Sequence, residues 1–221
     1  VEFEKKLTIG LDSYPISLRV VNWIKFISKH QINDVNINAV LAKHLFHLNK
    51  NIEYHLLGNH LLENAFALLF GAYYFKDESI YVKSKQLLEN QLVDQILVDG
   101  GHFELSPMYH QLLLTRLLDC INLVQNNPWK DDSLISFLKG SAGRMLGWLN
   151  EMTYKNGNIP MINDSTYGIA PPSKNIFNYS KILKIKAHKS PLSDSGYRRW
   201  NNKHAEIFID VGGIGPDYIP A

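Results

Sequence analysis

Two segments of the sequence hold the residue types from which acid–base chemistry is built. The first is Asn51-Ile52-Glu53-Tyr54-His55-Leu56-Leu57-Gly58-Asn59-His60-Leu61-Leu62-Glu63-Asn64, where carboxylates, imidazoles and amides interrupt an otherwise apolar run. Polar groups inside a core-forming helix need a partner or a purpose. Gly58 frees the backbone just before Asn59 and can present that amide at a helix beginning, facing a cleft. The alternative is that Asn59 caps the helix continuing through Leu61 and that His60 is an inner histidine with its hydrogen bonds satisfied. The second segment is Asp99-Gly100-Gly101-His102-Phe103-Glu104-Leu105-Ser106-Pro107-Met108-Tyr109-His110, a tight turn leading into a helix start. A tyrosine, with an ordinary pKa of about 10, can donate a proton or, when depressed by neighbours, accept one. Glu104 can hold such a site in orientation. The alternative here is that Ser106 is only a cap, Pro107 the first helical residue and Tyr109 a half-buried aromatic. A third element, Asn163-Asp164-Ser165, reads either as a cleft-lining turn or as an Asx-turn that ties its own loop down.

Other chemistries find little support. His44 and His47 share a helix face and His55 and His60 lie close in sequence, but no His-Glu-x-x-His pattern occurs and neither pair stands beside a cysteine or carboxylate in a zinc-ligand spacing. There is no Gly-rich phosphate loop and no Gly-x-Ser-x-Gly elbow. A glycoside hydrolase needs two carboxylates across the scissile bond, and Glu53, Glu63, Glu104 and Asp164 offer no spacing that singles out a pair. Cys120 lies in the apolar stretch Leu117–Leu123 and reads as a small hydrophobe.

These residues must be positioned by helices. From Ile16 to about Met152 the apolar spacing is helical. Pro15 suits the first turn of a helix carrying Leu18, Val21, Trp23, Ile24 and Ile27. Asn36 or Asn38 is expected to cap a second, with Val40, Leu41, Leu45 and Leu48. Gly58 interrupts the next segment, which continues through Leu61, Leu62, Ala65, Leu68, Leu69 and Ala72. A fourth helix is expected from about Glu78 to Leu97, stopped by Asp99-Gly100-Gly101. A fifth follows Ser106-Pro107 and stops before Asn126-Asn127-Pro128. Asp131-Asp132-Ser133 is expected to cap a sixth that bears Leu134, Phe137, Leu138, Met145, Leu146 and Leu149. Residues 155–175 then carry loop chemistry, with a short helix expected around Asn175 to Leu183. The basic cluster Lys181, Lys184, Lys186, His188 and Lys189 reads as a solvated linker face. Tyr197–Trp200 and Ala205–Ile209 look like the first two strands of a sheet, and two strands cannot bury a face alone.

The bulk properties agree with a globular chain. Its 221 residues are 45% hydrophobic and 20% charged, with 14 Gly and 9 Pro, enough to build a core without disulfides. A formal charge of +2 announces no field toward nucleic acid. No run approaches the roughly 18 apolar residues of a membrane span. Val1–Lys6 lacks both an initiating Met and the basic-then-apolar order of a signal peptide, so an upstream segment is expected to have been removed.

Taken together, the ordered segments resemble the heparinase II/III-like polysaccharide lyases. The resemblance rests on Tyr14-Pro15-Ile16-Ser17-Leu18-Arg19 with Asn22-Trp23, on Asn51 through Ala65, on Asp99 through His110, on Asn163-Asp164-Ser165 and on Asp194-Ser195-Gly196-Tyr197. It implies a mainly α fold, an incomplete α/α toroid of helical hairpins followed by the first strands of a truncated antiparallel β-sandwich domain. On that basis residues 1–192 are expected to form the toroid domain and residues 193–221 to start the β-domain.

The resemblance also implies roles. Asn59 matches the family asparagine that hydrogen-bonds a uronate carboxyl, and Tyr109 its catalytic tyrosine. His60, Glu104, His110, Asn163 and Asp164 are expected to bind substrate around them. The implied activity is β-elimination on an acidic, uronate-containing polysaccharide with no cofactor required by the visible sequence. The resemblance favours a periplasmic or secreted setting and leaves a cytoplasmic one open; the charge and hydropathy read above go with no nucleic acid and no membrane span. A further family histidine lies in a His-Ala-Asp segment that follows an Asp-Gly-Gly and Gly-Pro-x-Tyr stretch. Here Asp210-Val211-Gly212-Gly213-Ile214-Gly215-Pro216-Asp217-Tyr218 is present, so that histidine is expected beyond Ala221. The other readings left open are a glycoside hydrolase and a non-catalytic glycan-binding or polysaccharide-assembly protein.

Overall fold

The computed structural model describes residues 10–56, 58–130 and 133–213. Val1–Lys6, the Asp131-Asp132 part of the expected sixth cap and the Gly215-Pro216-Asp217-Tyr218 stretch lie outside them. Among the described residues there are seven α-helices and a two-stranded antiparallel sheet. None of the helices is long and apolar enough to cross a membrane. The chain divides into two compact units, Val1–Gln91 and Leu92–Ala221, each with its own core.

In the first unit α1 (Ser13–His30), α2 (Val35–Lys50) and α3 (Gly58–Phe75) pack on one another. α1 buries Ile16, Val20, Val21, Ile24 and Ile27 along one stripe. It ends at Gln31, whose φ of 52° lets its N–H turn back to the carbonyls of Ile27 and Ser28. α2 is capped by Asp34, which accepts from the N–H groups of Asn36 and Ile37. Neither Asn36 nor Asn38 is the cap; with several good capping residues in five positions, the one whose backbone stays extended takes the role. α3 starts at Gly58 itself, whose φ of 51° turns the chain into the helix. It approaches α2 so closely that a Cβ on Gly71 would stand 2.3 Å from the Leu45 side chain.

The division between units falls within α4 (Glu78–Gln95), which ends earlier than its apolar pattern suggests. Ile96 leaves the helix to pair with His102, and Leu97 N–H donates to the Gly101 carbonyl at 2.8 Å. The second unit then holds α5 (Pro107–Asn126), α6 (Leu134–Glu151) and α7 (Ser173–Ile182). Ser106 caps α5, with Pro107 in its first position, as the sequence suggests. Ser133 makes no side-chain cap on α6, because its backbone is already helical and its hydroxyl is not aimed at the following N–H groups. α7 begins two residues early, directly after Pro172, whose carbonyl receives the N–H of Asn175 at 2.8 Å.

Strands β1 (Tyr197–Asn201) and β2 (Glu206–Asp210) pair antiparallel with Tyr197 opposite Asp210 and Trp200 opposite Ile207. Their inner side chains, Tyr197 and Phe208, pack with Trp148, Met152 and Leu192. Arg199 ties the hairpin down by donating to the Glu151 carbonyl and the Glu206 carboxylate, each at 3.0 Å. On the other side Trp200, Ile207 and Ile209 are about half exposed.

The strap that leads into this hairpin is fixed by one carboxylate. Asp99 is buried, and its Oδ2 accepts from Ser195 N (2.8 Å), Ser195 Oγ (2.7 Å) and Asp194 N (3.1 Å). Its Oδ1 accepts from Gly101 N at 3.0 Å, and its carbonyl accepts from Ser190 Oγ at 2.8 Å. Trp148 Nε1 donates to the same Ser195 hydroxyl at 2.9 Å. The turn can exist only with glycine at position 100, where φ is 94° and a Cβ would lie 2.2 Å from the Arg144 carbonyl oxygen. Replacing Asp99 with Ala strands buried N–H and hydroxyl donors, and Asp99→Ala is expected to lower unfolding free energy by about 3 kcal/mol or more. Urea denaturation compared with wild type checks this; a loss below about 1 kcal/mol, the size of a routine substitution, would contradict it.

Candidate functional site

The expected site residues fall in both units, and each set has its own geometry. In the first unit, a run of polar groups crosses the packing of α1 against α3. Ser13 Oγ donates to the Asn51 carbonyl, and Ser17 Oγ donates to the Ser13 carbonyl at 2.8 Å. Asn64, with no exposed surface, donates through Nδ2 to Ser17 Oγ at 3.1 Å and to Glu53 Oε2 at 3.0 Å. In return, Asn64 Oδ1 accepts the Glu53 N–H at 2.9 Å. The other carboxylate oxygen, Glu53 Oε1, stands 3.5 Å from His60 Nδ1. His60 stacks on Tyr14, ring centroids 4.4 Å apart and 31° from parallel.

This run ends in an open cleft of about 580 Å³ lined among others by Asp12, Tyr14, His47, Glu53, His55 and His60. The His60 side chain is 45% exposed there, whereas that of Glu53 is 8% exposed. Asn59 precedes it in the first turn of α3 and is partly exposed. Asn59 therefore sits inside the helix rather than capping it from outside. Asn64 and Ser17 received no role from the sequence, although a readable signal existed: an amide at a position where the helix turns a wholly apolar face to the core.

In the second unit, Tyr109 occupies the third position of α5, partly exposed, with its N–H on the Ser106 hydroxyl at 3.3 Å. Ser165 braces the same turn, 3.2 Å from Ser106 Oγ and accepting from Met108 N–H at 3.2 Å. The expected Asn163-Asp164-Ser165 turn is thus brought to the helix start that carries Tyr109. Asn163 and Asp164 take φ values of 47° and 52°, and Leu105, just before the Ser106 cap, takes 56°. Asn and Asp tolerate this left-handed region and leucine does not, so Leu105 is held there by its surroundings.

Those surroundings are explicit. The Leu105 carbonyl accepts from the Tyr197 hydroxyl and, at 3.4 Å, from Asn163 Nδ2. Asn163 Nδ2 also donates to Tyr197 Oη at 2.8 Å and reaches Asp210 Oδ2 at 3.2 Å. Burial first, and then the Asp210 carboxylate, push the Tyr197 phenol well above its ordinary pKa, so it stays a donor. The amide of Asn163 is thus engaged in joining α5, its own loop and the hairpin. Asp164 is exposed, and Glu104 is partly exposed.

His110 requires a correction. It was expected at the substrate, but it has no exposed surface; its Nε2–H donates to the Met145 carbonyl at 3.0 Å and its ring lies 4.4 Å from that of Trp148. It is a packing residue between α5 and α6. His102 is equally buried, with Nε2 on Gln95 Oε1 at 3.2 Å. Burial lowers the pKa of each to about 3, assisted for His102 by its neighbour His110 and opposed for His110 by the Met145 hydrogen bond. Both are therefore neutral in the fold. Among the described residues no group of three or more His, Cys, Asp or Glu is placed to hold a metal ion.

The two neutral imidazoles make stability pH-dependent. Their folded pKa values lie below the unfolded value, so their stabilisation is complete above about pH 6.5 and drains as pH falls toward 3, where the unfolded chain gains protons the folded chain refuses. Between pH 7.5 and pH 5 the pair should cost about 4 kcal/mol. Urea midpoints measured across this range check it: His110→Phe should remove about half of the slope, and a pH-independent midpoint would sink the assignment.

Comparisons with known proteins add to this geometry. The sequence model described as Heparinase II/III N-terminus matches residues 15–188. A crystal structure of heparinase III is similar with a TM-score of 0.71 at 18% identity, covering 96% of this chain and 40% of that one. A second heparinase III superposes with a TM-score of 0.68 at 14% identity over 94% of this chain and 37% of its own. The heparan sulfate lyase HepC from Pedobacter heparinus does so at 0.56 and 20% identity, covering 85% of this chain and 34% of its own. No curated protein matches the sequence. At these identities the likeness to solved structures is one of fold, and the chain spans about 40% or less of the length of those structures.

Proposed function

Because the chain belongs to the heparinase II/III family, of which it carries the N-terminal helical portion, we propose that it acts as part of a polysaccharide lyase that cleaves a uronate-containing chain by β-elimination. The observation that carries this reading is the family match over residues 15–188, which includes both Asn59 and Tyr109. Locally, each of these residues is partly exposed in the first turn of its helix, α3 or α5. In this reading residues 1–192 are the helical domain and residues 193–221, with the paired β1 and β2, are the start of a β-domain.

The chemistry explains the residue types. Transfer of the C5 proton of a uronate to a base leaves an electron pair that spreads onto the adjacent carboxylate, and donors aimed at that carboxylate lower the barrier. Asn59 supplies an amide N–H for this, with His60 beside it. The electron pair then forms the C4=C5 double bond as the C4–O bond breaks, and the departing glycosidic oxygen takes a proton from an acid. Tyr109 is that acid; for one substrate stereochemistry it serves first as base and then as acid. Its backbone is fixed by the Ser106 cap and the Ser165 brace, so the phenol swings only about its own side-chain torsions.

The test is Tyr109→Phe in the complete protein, assayed for the ultraviolet absorbance of an unsaturated uronate product. Turnover should fall by about 100-fold or more with the melting temperature unchanged. Wild-type turnover in this variant would remove Tyr109 from the chemistry, and new reducing ends without the chromophore would replace the lyase with a hydrolase.

A further inference from the structure

The elimination chemistry assigns no task to Glu53, yet this carboxylate is buried at the cleft of the first unit and held in place there. Asn64 fixes it from both sides, accepting its N–H through Oδ1 and donating to its Oε2 through Nδ2. The amide cannot be reversed, because its NH2 would then face the Glu53 N–H and lose the carboxylate and Ser17 together. With Oε2 occupied, Oε1 remains, 3.5 Å from the buried Nδ1 of His60. No hydrogen-bond partner reaches that nitrogen, and the Tyr14 ring beside it at 4.4 Å restrains the imidazole from turning over. The separation is long for a hydrogen bond, as such pairs often are before a ligand closes on them.

We infer that Glu53 is a positioning residue that holds His60 as the Nδ1–H tautomer and thereby presents Nε2 to the cleft as the ring nitrogen that meets a sugar. A carboxylate can only accept, so the nitrogen facing it carries the proton, and in the neutral ring the opposite nitrogen is then an acceptor. Nε2 receives a sugar hydroxyl in that state. The identity of what Nε2 meets rests on the lyase reading above; the tautomer does not.

The two are separated by measuring them separately. In protein labelled with 15N-histidine, long-range proton–nitrogen correlation at pH 8 reports which His60 nitrogen is protonated, with His60→Ala assigning the signals. The expected wild-type pattern is a protonated Nδ1 and a bare Nε2. Glu53→Gln inverts it: the Gln oxygen stays on Asn64 Nδ2, so its NH2 turns to His60 and donates to Nδ1, forcing the proton onto Nε2. A wild-type ring protonated at Nε2 overturns the inference without any variant having to fold, and so does a folded Glu53→Gln protein with wild-type ring shifts. In the complete protein, Glu53→Gln should lower kcat by on the order of tenfold or more with KM changed by less than about twofold. Unchanged kcat overturns the positioning role. A wild-type protein that releases no unsaturated uronate sinks the lyase reading and leaves the tautomer result standing.

Discussion

The second unit depends on the buried carboxylate of Asp99. A carboxylate out of water is stable only when its oxygens are filled by donors, and here they are filled by groups from its own turn and from a strap about 95 residues downstream. That demand is mutual. The N–H of Ser195 and the indole N–H of Trp148 would each be costly to bury without the Asp99–Ser195 arrangement to receive them. The hairpin follows directly from this strap, so the register that places Tyr197 and Phe208 against Trp148 is set before the first strand begins. Through Tyr197 the same constraint reaches the Leu105 carbonyl and hence the turn that starts α5.

Buried polarity is handled in two opposite ways within this chain. Around α1 and α3 it is linked in series, from Ser13 through Ser17 and Asn64 to Glu53, and the last member is an anion facing an exposed imidazole. Around α5 and α6 it is neutralised: His102 and His110 give up the proton that would charge them and keep one hydrogen bond each. The first arrangement keeps a charge available beside a cleft. The second removes charge from a core and uses the rings as packing surfaces.

These differences explain what the amino-acid order could reveal. Ser106-Pro107 is legible because a cap and a first-turn proline act within one turn of each other. Asp99-Gly100-Gly101 is legible as a stop, but its partner Ser195 is not, since nothing local announces a hydrogen bond across so many residues. The resemblance implies a substrate-binding His110 because a motif carries residue order alone; the burial of that ring depends on where α6 lies, which spacing along α5 does not contain. Asn163 shows a third case, since its left-handed backbone was foreseeable from its type, whereas the three segments its amide joins are brought together only by the finished fold. The heparinase-like order of motifs supplied the family because motifs need no knowledge of distance.

The glycines of α6 carry a consequence for how the chain folds. A Cβ at Gly147 would lie 1.9 Å from the His188 carbonyl oxygen and one at Gly143 would lie 2.7 Å from the His188 ring, while Gly140 has nothing within 4 Å. Each glycine weakens an isolated helix by roughly 1 kcal/mol relative to alanine. Gly147 is needed for the main chain at His188 to dock and Gly143 leaves room for its ring, so α6 gives up intrinsic helicity for a contact that arrives some forty residues later in synthesis. Such a helix gains its full stability only after the strap has been made and laid across it. The stability of α6 is therefore tied to the closure of a loop of some forty residues more than to its own helix propensity.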